Sequence, residues 1–172
     1  HDRNDFTYSV IAPLRVFNYS IANAYRQICH CIINALKEIG IKSTLENKND
    51  VIVNGRKISG NAAKLMDKGI YLQHGTLIYQ IDYKLMPEIL NIPEDLVKDK
   101  AISVLQLKKT AQEKVYDALK NSFISGKDSK TGELSKYELV RSEDLAKTKY
   151  SSIMLPRDLV RNKGACYVER GN

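Results

Sequence analysis

The stretch Val53–Lys64, VNGRKISGNAAK, holds one lysine in a tight backbone setting. Asn54-Gly55 precedes Lys57, Ser59-Gly60 follows it, and the small residues Asn61, Ala62 and Ala63 come next. Two roles fit this spacing: a strand lysine beside a hairpin turn, or a cation aimed at a bound anionic intermediate, where a fixed ammonium stabilises developing negative charge. Further on, His74-Gly75-Thr76 reads as a second chain reversal, with glycine for the turn and threonine for its β-propensity. Cys29-His30-Cys31 suggests zinc ligands, but the segment has helical periodicity. Positions two apart on a helix face different directions, and no second ligand pair follows at zinc spacing. No metal ligand is assigned.

These residues must be positioned by the elements around them. FTYSVIAP alternates Phe6, Tyr8 and Val10 with smaller partners and reads as a strand ending at Pro13. From Ser20 to Ile39 the residues Ile21, Tyr25, Ile28, Ile32, Leu36 and Ile39 recur at steps of three and four, the stripe of a core-facing helix. Gly40 stands at its C′ position. Between Lys42 and Asp82 the signals are β: VIV and RKIS flank Asn54-Gly55, and GIYLQ and TLIYQID flank His74-Gly75. Short helical pieces punctuated by Pro87 and Pro93 follow. Thr110 to Glu113 has the form of a capping box ahead of Val115, Leu119 and Phe123. Gly126 and Gly132 bracket a polar connection, and Ser142–Tyr150 reads as a last short helix. The order predicts an α+β fold, with mixed or antiparallel sheets flanked by helices.

A chain of 172 residues is long enough to bury a substantial core as one domain. No apolar run approaches a membrane span, and HDRNDFTYSV has no signal-peptide h-region. A cytoplasmic protein without membrane partners is the expectation. Three cysteines argue against a disulfide framework. The net charge of +7 favours anionic partners or an ordinary solvated surface, acids being interspersed among the bases.

Several motifs in order resemble the lipoate–protein ligase family, within the biotin/lipoate protein ligase fold. They are Asn49-Asp50, then Asn54-Gly55-Arg56-Lys57-Ile58-Ser59-Gly60-Asn61-Ala62, then His74-Gly75-Thr76-Leu77-Ile78. The opening His1-Asp2 resembles the tail of the family's Gly-rich signature, and EKVYDALKNSF with GELSKYELVRSEDLAKTKY resembles the helices closing its catalytic domain. Asn4-Asp5-Phe6-Thr7 departs from the family's G-N-x-N. The resemblance implies one catalytic domain over residues 1–172, lacking roughly its N-terminal third and any C-terminal accessory domain, with a separate small accessory subunit as a partner.

It further implies an ATP- and Mg²⁺-dependent ligase. Lipoate attacks the α-phosphate of ATP to give lipoyl-adenylate, and a lysine of a lipoyl domain then takes the acyl group and releases AMP. The acceptors implied are 2-oxoacid dehydrogenase acyltransferase subunits and the glycine cleavage H protein. Lys57 matches the family's catalytic lysine, and Gly55 and Gly60 then let backbone approach the ligand. Substrate or ATP contacts carry over to His1, Asp2, Asp50, Ser59, Gly60, Asn61, Ala62, His74, Gly75, Thr76 and Leu77. Asp50 is matched to adenine or ribose, with an Asx-turn role as its alternative. Ser59 to Ala62 are matched to the lipoyl tunnel. Arg56 should face away from Lys57 by strand alternation.

Two other readings compete. Octanoyl- and lipoyl-transferases of the same fold form a thioester on cysteine, in one group just before the lysine motif, where this chain reads KSTLENKND. From a different class, a basic nucleic-acid-binding module would use the positive charge and the 10 tyrosines; their dispersal and the lack of an RNP element argue against it. A relative that binds lipoate or its adenylate without turnover is a third possibility.

Overall fold

The computed structural model describes residues 4–149 and the strand Ala165–Val168. The chain forms two compact units, His1–Phe123 and Ile124–Asn172.

The first unit is built on a five-stranded antiparallel sheet in the order β1-β5-β4-β3-β2. Its strands are β1 (Phe6–Pro13), β2 (Thr44–Glu46), β3 (Asp50–Val53), β4 (Arg56–Met66) and β5 (Ile70–Leu77). One face is covered by α1 (Ile21–Glu38) and by α5 (Gln112–Ile124), which closes the unit. Helix α1 starts where the Ser20 hydroxyl accepts from the Asn23 N–H. It ends in a Schellman pattern: Gly40, at φ 85°, donates to the Lys37 carbonyl and Ile41 to that of Leu36. Of the predicted stripe, Ile28, Ile32, Leu36 and Ile39 are buried, while Ile21 at the first turn is 44% exposed. Ile32, Leu36 and Ile39 pack with Val51, Val53, Ile58, Leu77, Val115 and Leu119, and Ile28 with Phe17, Ala24 and Tyr71. The Ser122 hydroxyl of α5 donates to the Cys31 carbonyl at 2.6 Å, tying the two helices together.

Alternation in β1 sends Phe6, Tyr8 and Val10 to the covered face and leaves Thr7, Ser9 and Ile11 exposed. Asn54 and Gly55, at φ 51° and 75°, make the expected hairpin between β3 and β4. The second reversal is not where the sequence suggests. His74-Gly75 lies inside the continuous strand β5, and the chain turns at Asp67–Gly69 instead, with Lys68 and Gly69 left-handed. RKIS is therefore only the start of an eleven-residue strand. Its register along β5 is unbroken from Ser59↔Leu77 to Met66↔Ile70.

After β5, α2 (Leu85–Leu90), α3 (Glu94–Lys100) and α4 (Val104–Leu107) lead back along the sheet edge. Helix α5 begins one residue later than a Thr110 cap requires, its first turn closing from the Val115 N–H to the Ala111 carbonyl. A capping box instead opens α4, at Ser103 and Gln106.

The second unit holds the two-stranded pair β6 (Ser129–Gly132) and β7 (Ala165–Val168), with α6 (Lys136–Thr148). Helix α6 starts six residues before the expected Ser142, because Ser135 and Glu138 form a capping box there. No helix of the described residues is long and apolar enough to cross a membrane.

Candidate functional site

Lys57 is fixed by its backbone from two sides. It pairs with Ile52 of β3, and its carbonyl accepts from the Ile102 N–H at 3.0 Å. Between the pairs Val51↔Ser59 and Ile52↔Lys57 the register shifts, so Ile58 is the extra residue of a β-bulge. In a regular strand, residues three apart face opposite ways. The bulge cancels that alternation and brings Lys57 to the same side as Gly60. The lysine side chain then folds back over Gly60, where a Cβ would lie 2.5 Å from Lys57 Cε and 2.8 Å from Nζ. Gly60 thus makes room for the lysine's own chain as well as lining the cavity, while Gly55, at φ 75°, serves the turn.

Asp50 stands directly across from Gly60, and its Oδ1 is 2.6 Å from Lys57 Nζ. The side chains are 44% and 18% exposed. At that exposure the pair adds little stability; its effect is to hold the ammonium in place. Arg56, as expected, is directed elsewhere, its guanidinium reaching the Lys98 carbonyl of α3 at 3.5 Å.

In front of Lys57 opens a cavity of ≈ 670 Å³, a size typical of small-molecule sites. Lys57, Gly60, Asn61, Ala62, His74, Gly75 and Thr76 line it, so the structure brings these expected residues together. Asp50 joins them through its ion pair. Ser59 and Leu77 stand apart from the cavity: both are fully buried, paired across β4 and β5, and Leu77 belongs to the apolar core. His1 and Asp2 lie outside the described residues.

The structure adds Asp5, Thr7, Tyr8, Ser9, Ile78 and Met86 to the lining. Thr7 and Ser9 were legible as the small polar partners of Phe6, Tyr8 and Val10, whereas Met86 comes from α2 and left no local signal.

Behind the cavity, on the covered face, lies a buried polar layer. The Tyr8 hydroxyl donates to Asn61 Oδ1, passing over Gly75. A Cβ on Gly75 would come 2.5 Å from Tyr8 Oη, which explains the glycine that looked like a turn residue. Gln73 Nε2 also donates to Asn61 Oδ1 at 3.4 Å, and the Tyr71 hydroxyl donates to Gln73 Oε1 at 2.7 Å. Asn61 Nδ2 donates to the Asn49 carbonyl at 2.8 Å, and Asn49 Nδ2 to the Asn61 carbonyl at 2.7 Å. Burial pushes the Tyr8 and Tyr71 phenols well above their ordinary range and the Cys29 thiol up to about 11.

Cys29 sits in this layer and is fully buried, while Cys31 is the partly exposed member of the pair two residues on. The helix thus separates them, as its geometry demands. No cluster of three or more His, Cys, Asp or Glu suited to a metal is found among the described residues.

The family model of the lipoyl protein ligase A/B catalytic domain matches residues 1–124, and the chain belongs to that family. A probable lipoate-protein ligase A of Mycoplasma pneumoniae is 28% identical over 62% of this chain and 30% of its own. Octanoyltransferase LipM of Halalkalibacterium halodurans is also 28% identical, over 88% of this chain and 68% of its own. Among solved structures, lipoate-protein ligase A bound with ATP aligns with a TM-score of 0.73 at 22% identity, over 88% of this chain and 64% of that one. A bi-partite lipoate protein ligase of Thermoplasma acidophilum, described with its E2 lipoyl domain, aligns with a TM-score of 0.70 at 20% identity, over 95% and 68%. These likenesses place the chain in the α+β biotin/lipoate ligase fold. The chain spans less than a third of the first relative and about two thirds of the other three.

Proposed function

We propose that this chain is the catalytic part of a lipoate–protein ligase that makes lipoyl-adenylate and passes the acyl group to a lipoyl-domain lysine. One observation carries the reading: an ammonium held by Asp50 at the wall of a small-molecule cavity, beside a bulge that turns it to that side.

In the first half-reaction a carboxylate oxygen of lipoate bonds to the α-phosphorus of ATP, and pyrophosphate leaves. In the second, the acceptor amine bonds to the acyl carbon, AMP leaves, and the amine gives up its proton. Negative charge builds first on the phosphoryl oxygens and then on the carbonyl oxygen. Lys57, at the cavity wall, is placed to face both, and such a group contributes roughly 3 kcal/mol to transition-state stabilisation. The small residues Gly60 and Ala62 leave room for an apolar acyl chain, with Met86 as an apolar wall. A magnesium ion would enter with the nucleotide phosphates, which it typically shares with one or two carboxylates; Asp5 and Asp50 are the carboxylates at hand. The ion would neutralise phosphate charge. Acidic lipoyl domains suit the +7 chain as acceptors, in the cytoplasm.

The second reading is octanoyl transfer through a cysteine thioester, the activity in the name of the LipM relative. Against it, Cys29 lies on the covered face of the sheet, with its thiol pushed up to about 11 and so poorly nucleophilic.

The test is ATP-dependent formation of lipoyl-adenylate, read by mass spectrometry for the parent and Lys57→Ala. Adenylate from the parent alone supports the ligase. If neither makes it, synthetic lipoyl-adenylate and a lipoyl domain are supplied: transfer then points to activation by a separate subunit, and no transfer overturns the ligase reading. A stable acyl-enzyme thioester formed from an octanoyl donor would favour the transferase.

A further inference from the structure

Asn61 lines the cavity, and its side chain, 6% exposed, is at the same time bonded into the polar layer behind it. We infer that Asn61 and Asn49 are positioning residues, which set the place of Lys57 by fixing the backbone that carries Asp50. The inference rests on the ligase reading for its catalytic meaning, but its structural content can be tested apart from it.

The two asparagines exchange side-chain bonds to each other's carbonyls at 2.7 and 2.8 Å. They do so immediately beyond the Asp50↔Gly60 pair, where the β3–β4 ladder ends. Ahead of Asn49 the chain turns through Asn47 and Lys48, at φ 49° and 73°. This exchange is what extends the ladder past Asp50 into that turn. The orientation of the Asn61 amide is itself dictated from behind. Its oxygen accepts from Tyr8 and Gln73, so its Nδ2 must face the Asn49 carbonyl.

Asp50 is thereby held between the asparagine exchange on one side and the bulge on the other. An ion pair as exposed as Asp50–Lys57 is too weak to order two free side chains. A carboxylate on fixed backbone can localise the ammonium, because only the lysine then loses freedom. The Asn49 side chain bonds Asn61 and not Lys57, so its effect on the ammonium is carried by the backbone it fixes, that of Asp50 and of Gly60 across from it.

The experiment measures acylation of Lys57 in the full chain by an amine-reactive ester, normalised to the other lysines by peptide mass spectrometry. Asp50→Asn is expected to raise labelling at Lys57 about threefold, the size of a partly exposed ion pair. Asn49→Ala is expected to do nearly the same. Asn61→Asp, which keeps the acceptor for Tyr8 and Gln73 but loses the donor to Asn49, should follow it, and it serves if Asn49→Ala does not fold. Unchanged Lys57 labelling in folded Asn49 and Asn61 variants, alongside a rise in Asp50→Asn, overturns the inference.

A double-mutant cycle on the affinity for a sulfamoyl analogue of lipoyl-adenylate adds the catalytic arm. Asn49→Ala should weaken binding by about tenfold in the parent and not at all in Lys57→Ala. Equal losses in both backgrounds overturn the inference. A parent that binds no analogue overturns the ligase reading, and the labelling result then decides the positioning role alone.

Discussion

Along the β4–β5 ladder the pairs Gly60↔Thr76 and Ala62↔His74 alternate with Ser59↔Leu77 and Asn61↔Gly75. The first two pairs line the cavity, Ser59 and Leu77 are fully buried away from it, and Asn61 and Gly75 both line it and join the polar layer behind. The first set leaves space and is drawn from residues with little to bury. The second fills space and is bonded or packed from behind. Each set contains one glycine at which an added Cβ would meet a neighbour, but the neighbours differ. Beneath Gly60 the obstacle is the end of a flexible lysine chain, whereas beneath Gly75 it is a bonded phenol and amide. Adjacent residues of one motif therefore differ in what stands behind them: open or flexible surroundings at Gly60 and Ala62, a bonded layer at Asn61 and Gly75.

Gly75→Ala tests this division most severely. The new methyl must part Tyr8 from Asn61, which combines overpacking with a broken buried hydrogen bond. A loss of about 3 kcal/mol in urea unfolding is expected; a loss below about 1 kcal/mol would mean the layer yields easily.

The alkaline limb of stability probes the same layer. Burial pushes the Cys29 thiol up to about 11 in the folded chain, from an ordinary 9.0. The folded state therefore keeps this proton where the unfolded state has lost it. Its contribution is complete below pH 9 and falls away as pH rises towards 11, by up to about 3 kcal/mol. Cys29→Ala should flatten the fall in denaturation midpoint across that window, and an unaltered slope would assign it to the phenols of Tyr8 and Tyr71.

Gly60→Ala is the converse on the open side. Lys57 can swing aside, so unfolding should change by less than about 1 kcal/mol. The displaced ammonium should lower the rate of adenylate formation about tenfold or more. A stability loss equal to that of Gly75→Ala would erase the distinction between the faces.

The smallest effect concerns Ser59. Its hydroxyl is fully buried without a hydrogen-bond partner among the described residues. Ser59→Ala should be neutral or stabilising by up to about 1 kcal/mol, read from the thermal midpoint.

What was legible in the sequence was set by local physics. Helix α1 announced itself by period and by Gly40, the β3–β4 turn by Asn54-Gly55, and Lys57 by the motif around it. His74-Gly75 misled because the reason for that glycine is tertiary: Tyr8, far away in sequence, must pass over it. The inward turn of Ser59 and Asn61 was hidden by the bulge, since alternation counted from Lys57 gives the wrong face. Asn49 was visible only as the neighbour of Asp50, because an asparagine that bonds another strand's backbone looks like any turn residue. Helix α6 starts ahead of Ser142 because the Ser135–Glu138 capping box, a local signal, opens it there.

The bulge at Ile58 also makes chain length a stricter requirement than residue identity. Between Lys57 and Gly60 the strand counts one residue more than its partner, and that surplus decides which side of the sheet receives the ammonium. Deleting one residue there would be a frameshift in space: every substituent on one side of the cut would exchange solvent for core. No point substitution elsewhere in the motif could restore the count. Natural variation in this loop-free segment should therefore tolerate changes of letter far better than changes of number.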